Sequence, residues 1–194
     1  MTKPFAILAA SSFILLADPC PVRAHITPPV VLASDRDAVA GLMAGSTKYL
    51  VREVRLSPAE RETVRRRTGW SADDDFYRFY VGRDERGRTV GATVFLSEFT
   101  IHGPVRVAVA LADDGKVKGA MVVEVSEETF SWVKPLLDRD FIRAYVGLDG
   151  HGRFAVSEAK GVPSMQRFYE GVIAGLIQRA AVLYEVTATP SVGH

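Results

Sequence analysis

The chain has 194 residues, 47% of them hydrophobic and 24% charged, with 24 basic and 23 acidic side chains and a formal net charge of +1. That is globular composition, long enough for one full core and short for two large domains. The balanced charge gives no footing for nucleic acid or an acidic membrane surface as partner, and one cysteine (Cys20) with four scattered histidines (His25, His102, His151, His194) excludes a sequence-local metal motif.

Residues 1–24 carry a positive start (Met1-Thr2-Lys3), the apolar run PFAILAASSFILLA and a small-residue exit with Val22 and Ala24 at the cleavage-compatible positions. The run is shorter than the roughly 20 residues that span a bilayer. It reads as a cleaved secretory signal ending near Ala24, which places the protein in the periplasm or otherwise outside the cytoplasm. An uncleaved, membrane-associated anchor is the alternative. Pro19 argues against lipid attachment at Cys20. Cleavage would remove Lys3, Arg23 and Asp18 and leave equal numbers of basic and acidic residues.

Residues 25–75 read as an extended and helical lead-in. The prolines of ITPPVVLAS favour extended chain. Ser34 or Asp35 can cap a short helix through Met43, ended by Gly45. Thr47 to Leu56 alternates as a strand with Tyr49, Val51 and Val54 as candidate buried residues. Ser57-Pro58-Ala59-Glu60 is a helix start with Ser57 as N-cap, Pro58 in the first turn and Glu60 completing a capping box; Gly69 stops the helix. Arg65, Arg66 and Arg67 fall in its last turn, where cations suit the dipole.

From Phe76 the pattern is strand, charged glycine turn, strand: 76–82, 88–96, 105–112 and 117–125. This is an antiparallel meander whose apolar face has to be covered by helix. One helix is expected from Ser131 to Val146. The longest helical pattern follows a Gly/Pro/Ser turn and runs to about Tyr184. It carries Phe168, Val172, Leu176, Ala180 and Leu183 on one face, with Gly171 and Gly175 expected to permit close approach to the sheet. Residues 187–194 read as a frayed tail. The fold class is therefore α+β: an antiparallel sheet meander covered by helices on one face, with the lead-in docked on residues 76–186.

Three constellations carry chemistry on paper. Lys160-Gly161-Val162-Pro163-Ser164 opens the long helix, whose first N–H groups and dipole suit a phosphate, with Gln166 and Arg167 as further donors; an ordinary helix start is the alternative. Glu127-Glu128-Thr129 follows a strand, where carboxylates can accept from a ring N–H or a sugar hydroxyl; helix capping by Ser126 explains the same residues. His102, between strands with Gly103 and Pro104, reads as a solvent-exposed loop residue.

The order of these parts, with Asp114-Gly115-Lys116-Val117-Lys118-Gly119 and Val123-Glu124-Val125-Ser126-Glu127-Glu128-Thr129 as its strongest segments, resembles the extracytoplasmic FMN-binding domain. That family is typified by the flavin subunits of the Rnf and sodium-pumping quinone reductase complexes. The resemblance covers about Phe76 to Glu185. It implies Glu128 and Thr129 near the flavin, and a phosphate held at the start of the long helix. The family writes Ser-Gly-Ala-Thr there and often esterifies the threonine. The aligned residues here are Lys160, Gly161, Val162 and Pro163, and proline has no hydroxyl to esterify.

What the resemblance then implies is an exported protein holding FMN noncovalently through Glu128, Thr129, Lys160, Gly161, Val162, Pro163, Ser164 and Gln166. It would transfer electrons between redox protein partners, possibly membrane-bound, with no metal and no substrate chemistry of its own. The alternative is a flavin-free accessory module that keeps the fold for protein–protein contact.

Overall fold

The structure is a computed structural model that describes residues 28–156 and 161–188. The expected signal, residues 1–24, and Lys160 lie outside the described residues. The elements in chain order are β1 (Pro29–Val31), α1 (Asp35–Leu42), β2 (Lys48–Val54), α2 (Pro58–Thr68), β3 (Tyr77–Arg83), β4 (Thr89–Thr100), β5 (Gly103–Leu111), β6 (Val117–Ser126), α3 (Glu127–Asp138), a 3₁₀ turn (Phe141–Tyr145) and α4 (Ser164–Ala188). The fold is α+β. All strands join one six-stranded antiparallel sheet in the order β1-β6-β5-β4-β3-β2. The meander β3–β6 is its middle, and the lead-in supplies both edges.

Strand alternation sets the two faces of the sheet. Phe79, Val94, Val105, Val107, Val109 and Leu111 point to the face covered by α2, α3 and α4. Ala108, Ala110 and Val123 point the other way, against Ala38, Val39 and Met43 of α1 and the residue after it. The expected helical cover of one face is present in α2–α4, and α1 adds a smaller cover on the opposite face. The small side chains of Ala108 and Ala110 let it sit close. β5 is therefore buried on both sides, which explains why its sequence VAVAL is apolar throughout instead of alternating.

The principal cover is α4. Tyr169, Ile173, Leu176, Ile177, Ala180 and Leu183 are all within 1% of complete burial. The buried stripe begins one residue later than the sequence pattern suggests, because Phe168 is 47% exposed while Tyr169 is enclosed. By length and composition α4 is apolar enough to cross a membrane, but half of its apolar window is buried inside this fold, as in a core helix. It also runs on through Thr187 and Ala188, into the part read as tail.

Local chemistry decides the smaller elements. Ser57 caps α2: its Oγ accepts from Glu60 N at 3.3 Å, and Glu60 Oε2 accepts from Ser57 N at 2.7 Å. Gly69 closes the helix in the left-handed conformation. The helix expected from Ser131 starts four residues earlier, at Glu127, with Ser126 as N-cap. It stops at Asp138 because Asp140 adopts φ 52°, after which only a 3₁₀ turn forms. β2 is also corrected: Tyr49 and Val51 are exposed, because the strand is the sheet's outer edge and their side of it is left uncovered.

α1 is tied down by charge. Arg106 of β5 donates to both carboxylate oxygens of Asp35 at 2.6 and 2.8 Å and lies over the Phe95 ring at 4.6 Å. The hydrogen bond to Arg106 holds the Asp35 carboxyl below the usual aspartate range, against the opposing effect of burial. Both side chains are partly solvated, so Arg106→Gln is expected to cost about 1 kcal/mol or less at neutral pH. A lowered folded pKa stabilises above the unfolded value of about 3.9 and is lost as pH falls through the folded value. Thermal melts of the two proteins should therefore differ at pH 7 and converge in acid.

Candidate functional site

At one end of the sheet the β4–β5 hairpin, the start of α3 and the first turns of α4 meet. The sequence separates these segments widely, and buried hydroxyls join them. Ser126 Oγ caps α3 by accepting from Thr129 N at 3.2 Å and donates to the carbonyl of His102. Thr129 Oγ1 donates to Tyr169 Oη at 3.1 Å. Tyr169 Oη lies 3.3 Å from Thr100 Oγ1, which donates to Gly103 O at 2.8 Å. One orientation satisfies every proton: Thr129 to Tyr169, Tyr169 to Thr100, Thr100 to Gly103. Thr129 and Tyr169 have no exposed surface, so such a chain is needed to offset their desolvation. Gly103 permits the close approach: at φ 103° a Cβ there would lie 2.9 Å from Ser126 Cβ.

Around this chain stand aromatic rings. Trp132 stacks on Tyr169 with centroids 5.7 Å apart and planes 11° apart. His102 meets Trp132 edge-on at 4.9 Å, and Phe168 meets Tyr169 edge-on at 5.1 Å. His102 Nδ1 lies 3.0 Å from Glu128 Oε1. His102 is therefore a half-buried member of the site and not the exposed loop residue that its isolation in sequence suggests.

A groove of about 730 Å³ opens beside the hydroxyl chain, between the end of β4 and the first half of α4. Phe99, Ile101 and Phe168 give it apolar walls, Thr100 joins it to the buried chain, and Arg167 and Arg179 supply cations. Arg179 is paired with Glu98 and lies over the Trp70 ring at 5.6 Å. Gly171 and Gly175 line the groove; a Cβ at Gly175 would meet nothing within 4 Å. Gly175 thus opens space on the groove side, where close approach to the sheet was expected.

The residues singled out from sequence fall into two places. Glu128 is exposed at the α3 N-terminus and Thr129 is sealed in the hydroxyl chain. Gly161, at φ 85°, Pro163 and Ser164 are exposed at the start of α4, Val162 is buried, and Gln166 is half-buried in the first turn. Arg167 Nη1 donates to Val162 O at 2.8 Å and steadies this turn. From the other side, Tyr145 holds the chain leading toward it by donating to Ala155 O at 3.1 Å. Burial first, and the charge of Glu170 second, push the Tyr145 phenol up to about 12. Sequence reasoning singled out His102 but read it as solvent-exposed, and it missed Thr100, Trp132 and Tyr169. Their signal was a tyrosine and threonines in otherwise apolar surroundings, each of which has to find a partner.

A second cluster, Asp149, His151 and Glu185, has ligand-type atoms all within 4.8 Å of one another. Both Glu185 oxygens are already engaged, one by Arg67 Nη2 at 2.6 Å and the other by Gly150 N at 2.6 Å. The guanidinium already supplies the positive charge there.

Comparison with known proteins finds no matching family model, no matching curated protein and no matching solved structure.

Thr129→Val keeps the shape of the side chain and removes the proton donated to Tyr169. Leaving buried hydroxyls short of a partner should cost about 1–3 kcal/mol in denaturant unfolding. Ser131→Ala, on the exposed side of the same helix, should cost under about 0.5 kcal/mol.

Proposed function

We propose that this protein is an exported flavoprotein that binds FMN noncovalently and passes electrons between redox protein partners, periplasmic or membrane-bound. The observation that carries the reading is the convergence of the two family-like segments. The 3.1 Å bond from Thr129 to Tyr169 ties the Glu128-Thr129 segment to the first turns of α4, forty residues later, beside a groove with aromatic walls.

The groove suits a flat ring with a charged tail. Phe99 and Phe168 offer apolar contact, Gly171 and Gly175 leave room, and Arg167 stands next to the first turn of α4, where backbone N–H groups favour an anion. Gly161, Val162, Pro163 and Ser164 shape that turn, and Gln166 adds a donor. Glu128 and His102, 3.0 Å apart, add a polar pair at the start of α3. Thr129 acts by positioning, since its hydroxyl is already engaged. Bound FMN would supply the redox chemistry, and the residues around it would bind it, orient it and limit its contact with water. Pro163 in place of a hydroxyl residue makes the binding noncovalent.

A flavin-free accessory module is the second reading. It is favoured by the 81% and 91% exposure of Phe99 and Ile101 at the hairpin tip, an apolar surface suited to protein contact.

Titrating the purified full chain into FMN and following flavin fluorescence should give saturable one-to-one binding. Gly175→Leu fills the groove and should weaken binding at least about tenfold with the melting temperature unchanged or raised, because leucine is the better helix former. Arg167→Ala should weaken FMN binding and leave riboflavin, which lacks the phosphate, unaffected. A chain that quenches neither flavin at millimolar concentration is a flavin-free module.

A further inference from the structure

The outer edge of the sheet at β2 carries an inference independent of the flavin reading. β2 pairs only with β3, and among the described residues no element lies beyond it. Six of its seven residues are exposed, including Tyr49 at 43%, Leu50 at 50% and Val51 at 57%. Natural sheets blunt such edges with prolines, bulges, short strands or projecting charges. The opposite edge follows that rule, since β1 has three residues and begins with Pro29. β2 does not. It contains no proline, and its register with β3 runs from Lys48↔Arg83 to Val54↔Tyr77 without a shift.

Two of the three charges of β2 are also drawn away from the edge, Lys48 standing exposed at its start. Arg52 Nη2 donates to Thr187 O at 2.8 Å, with its guanidinium 5.7 Å from the centre of the Phe79 ring. Glu53 Oε1 accepts from Arg78 at 2.8 and 3.1 Å. Concavities flank the strand. One, of about 520 Å³ and mainly apolar, is lined by Val39, Tyr49 and Tyr80; the other, of about 350 Å³, mixes Leu50, Phe79 and Tyr184 with Arg52, Arg83 and Asp113.

We infer that β2 is a self-pairing edge, and that two copies of the chain join through antiparallel β2 strands about a two-fold axis at Val51. In such a pair, residues directly opposite share a face, so the axis has to pass through a residue. Centring on Leu50 sets Lys48 against Arg52. Centring on Arg52 or Glu53 sets that charge against its own copy. Centring on Val51 pairs Lys48 with Val54, Tyr49 with Glu53, Leu50 with Arg52 and Val51 with itself. It uses all seven residues and opposes no like charges. The strand can therefore pair with its own copy over its full length, which favours a second copy over a strand from another protein. The product is one continuous sheet across the dimer.

The test uses the full chain with Cys20→Ser as background. Opposed Cα atoms in an antiparallel pair lie about 4.5–5.5 Å apart, inside the range of roughly 4.4–6.8 Å that a disulfide bridges. Val51→Cys should therefore give a covalent dimer under mild oxidation. Lys48→Cys should not, because its two copies would sit roughly 20 Å apart along the strands. Sedimentation velocity should show a concentration-dependent dimer that Val51→Lys weakens at least about tenfold by placing two ammonium groups on the axis. A monomer at all concentrations, cross-linking no better at residue 51 than at 48, or a dimer indifferent to Val51→Lys would overturn the assignment.

Discussion

The fold depends on sealing one apolar face of a twisted sheet with a single long helix. β3 to β6 present valines, Phe79 and Leu111 on that side, and exposing them would cost far more than the marginal stability of a domain. α4 meets the need because its middle combines large aliphatic side chains with alanines at 174, 180 and 181, so the backbone lies close while Ile173, Leu176 and Ile177 fill the space between strands. α2 and α3 then pack beside it. The edges of the sheet belong to the lead-in, which is why β1 and β2 can be short or exposed without loosening the centre.

The same helix makes the candidate site. A helix confined to core duty would carry no hydroxyl at full burial, yet Tyr169 does, and it stacks on Trp132 while joining Thr129 to Thr100. The polar chain marks where three segments must meet in one arrangement, since a slip of any one strands several buried oxygens. The groove beside it follows from the stripe being offset by one residue, with Phe168, Gly171 and Gly175 left outside the core.

Legibility in the sequence tracks how local each determinant is. The Ser57 capping box, the stop at Gly69 and the charged turns of the meander depend on residues within four positions of one another, and the structure has them as expected. Ser126-Glu127-Glu128 fits both a strand end and a helix cap; the capping alternative holds, and it puts the start of α3 four residues before Ser131. Tyr49 and Val51 look like core residues because alternation reports a face and says nothing of whether anything covers it. The two-sided burial of β5 and the role of His102 depend on α1 and Trp132, each distant in sequence. Glu128 and Thr129 were legible as a motif, but the enclosure of Thr129 depends on Tyr169, which only the folded chain brings near.

The β4–β5 hairpin has a consequence of its own. Its turn is held through main-chain atoms: the carbonyls of His102 and Gly103 accept from Ser126 and Thr100, and His102 N donates to Thr100 Oγ1 at 3.2 Å. Phe99 and Ile101 therefore project from a stiff support while remaining almost wholly in water. Apolar tips of this kind on a loose loop would lose conformational freedom on every encounter. Here that freedom was already given up when the chain folded, so a surface that fits the tip gains nearly the whole of its desolvation, and one that does not fit cannot draw the tip into shape. Such rigidity favours selectivity over adaptability at this corner of the molecule.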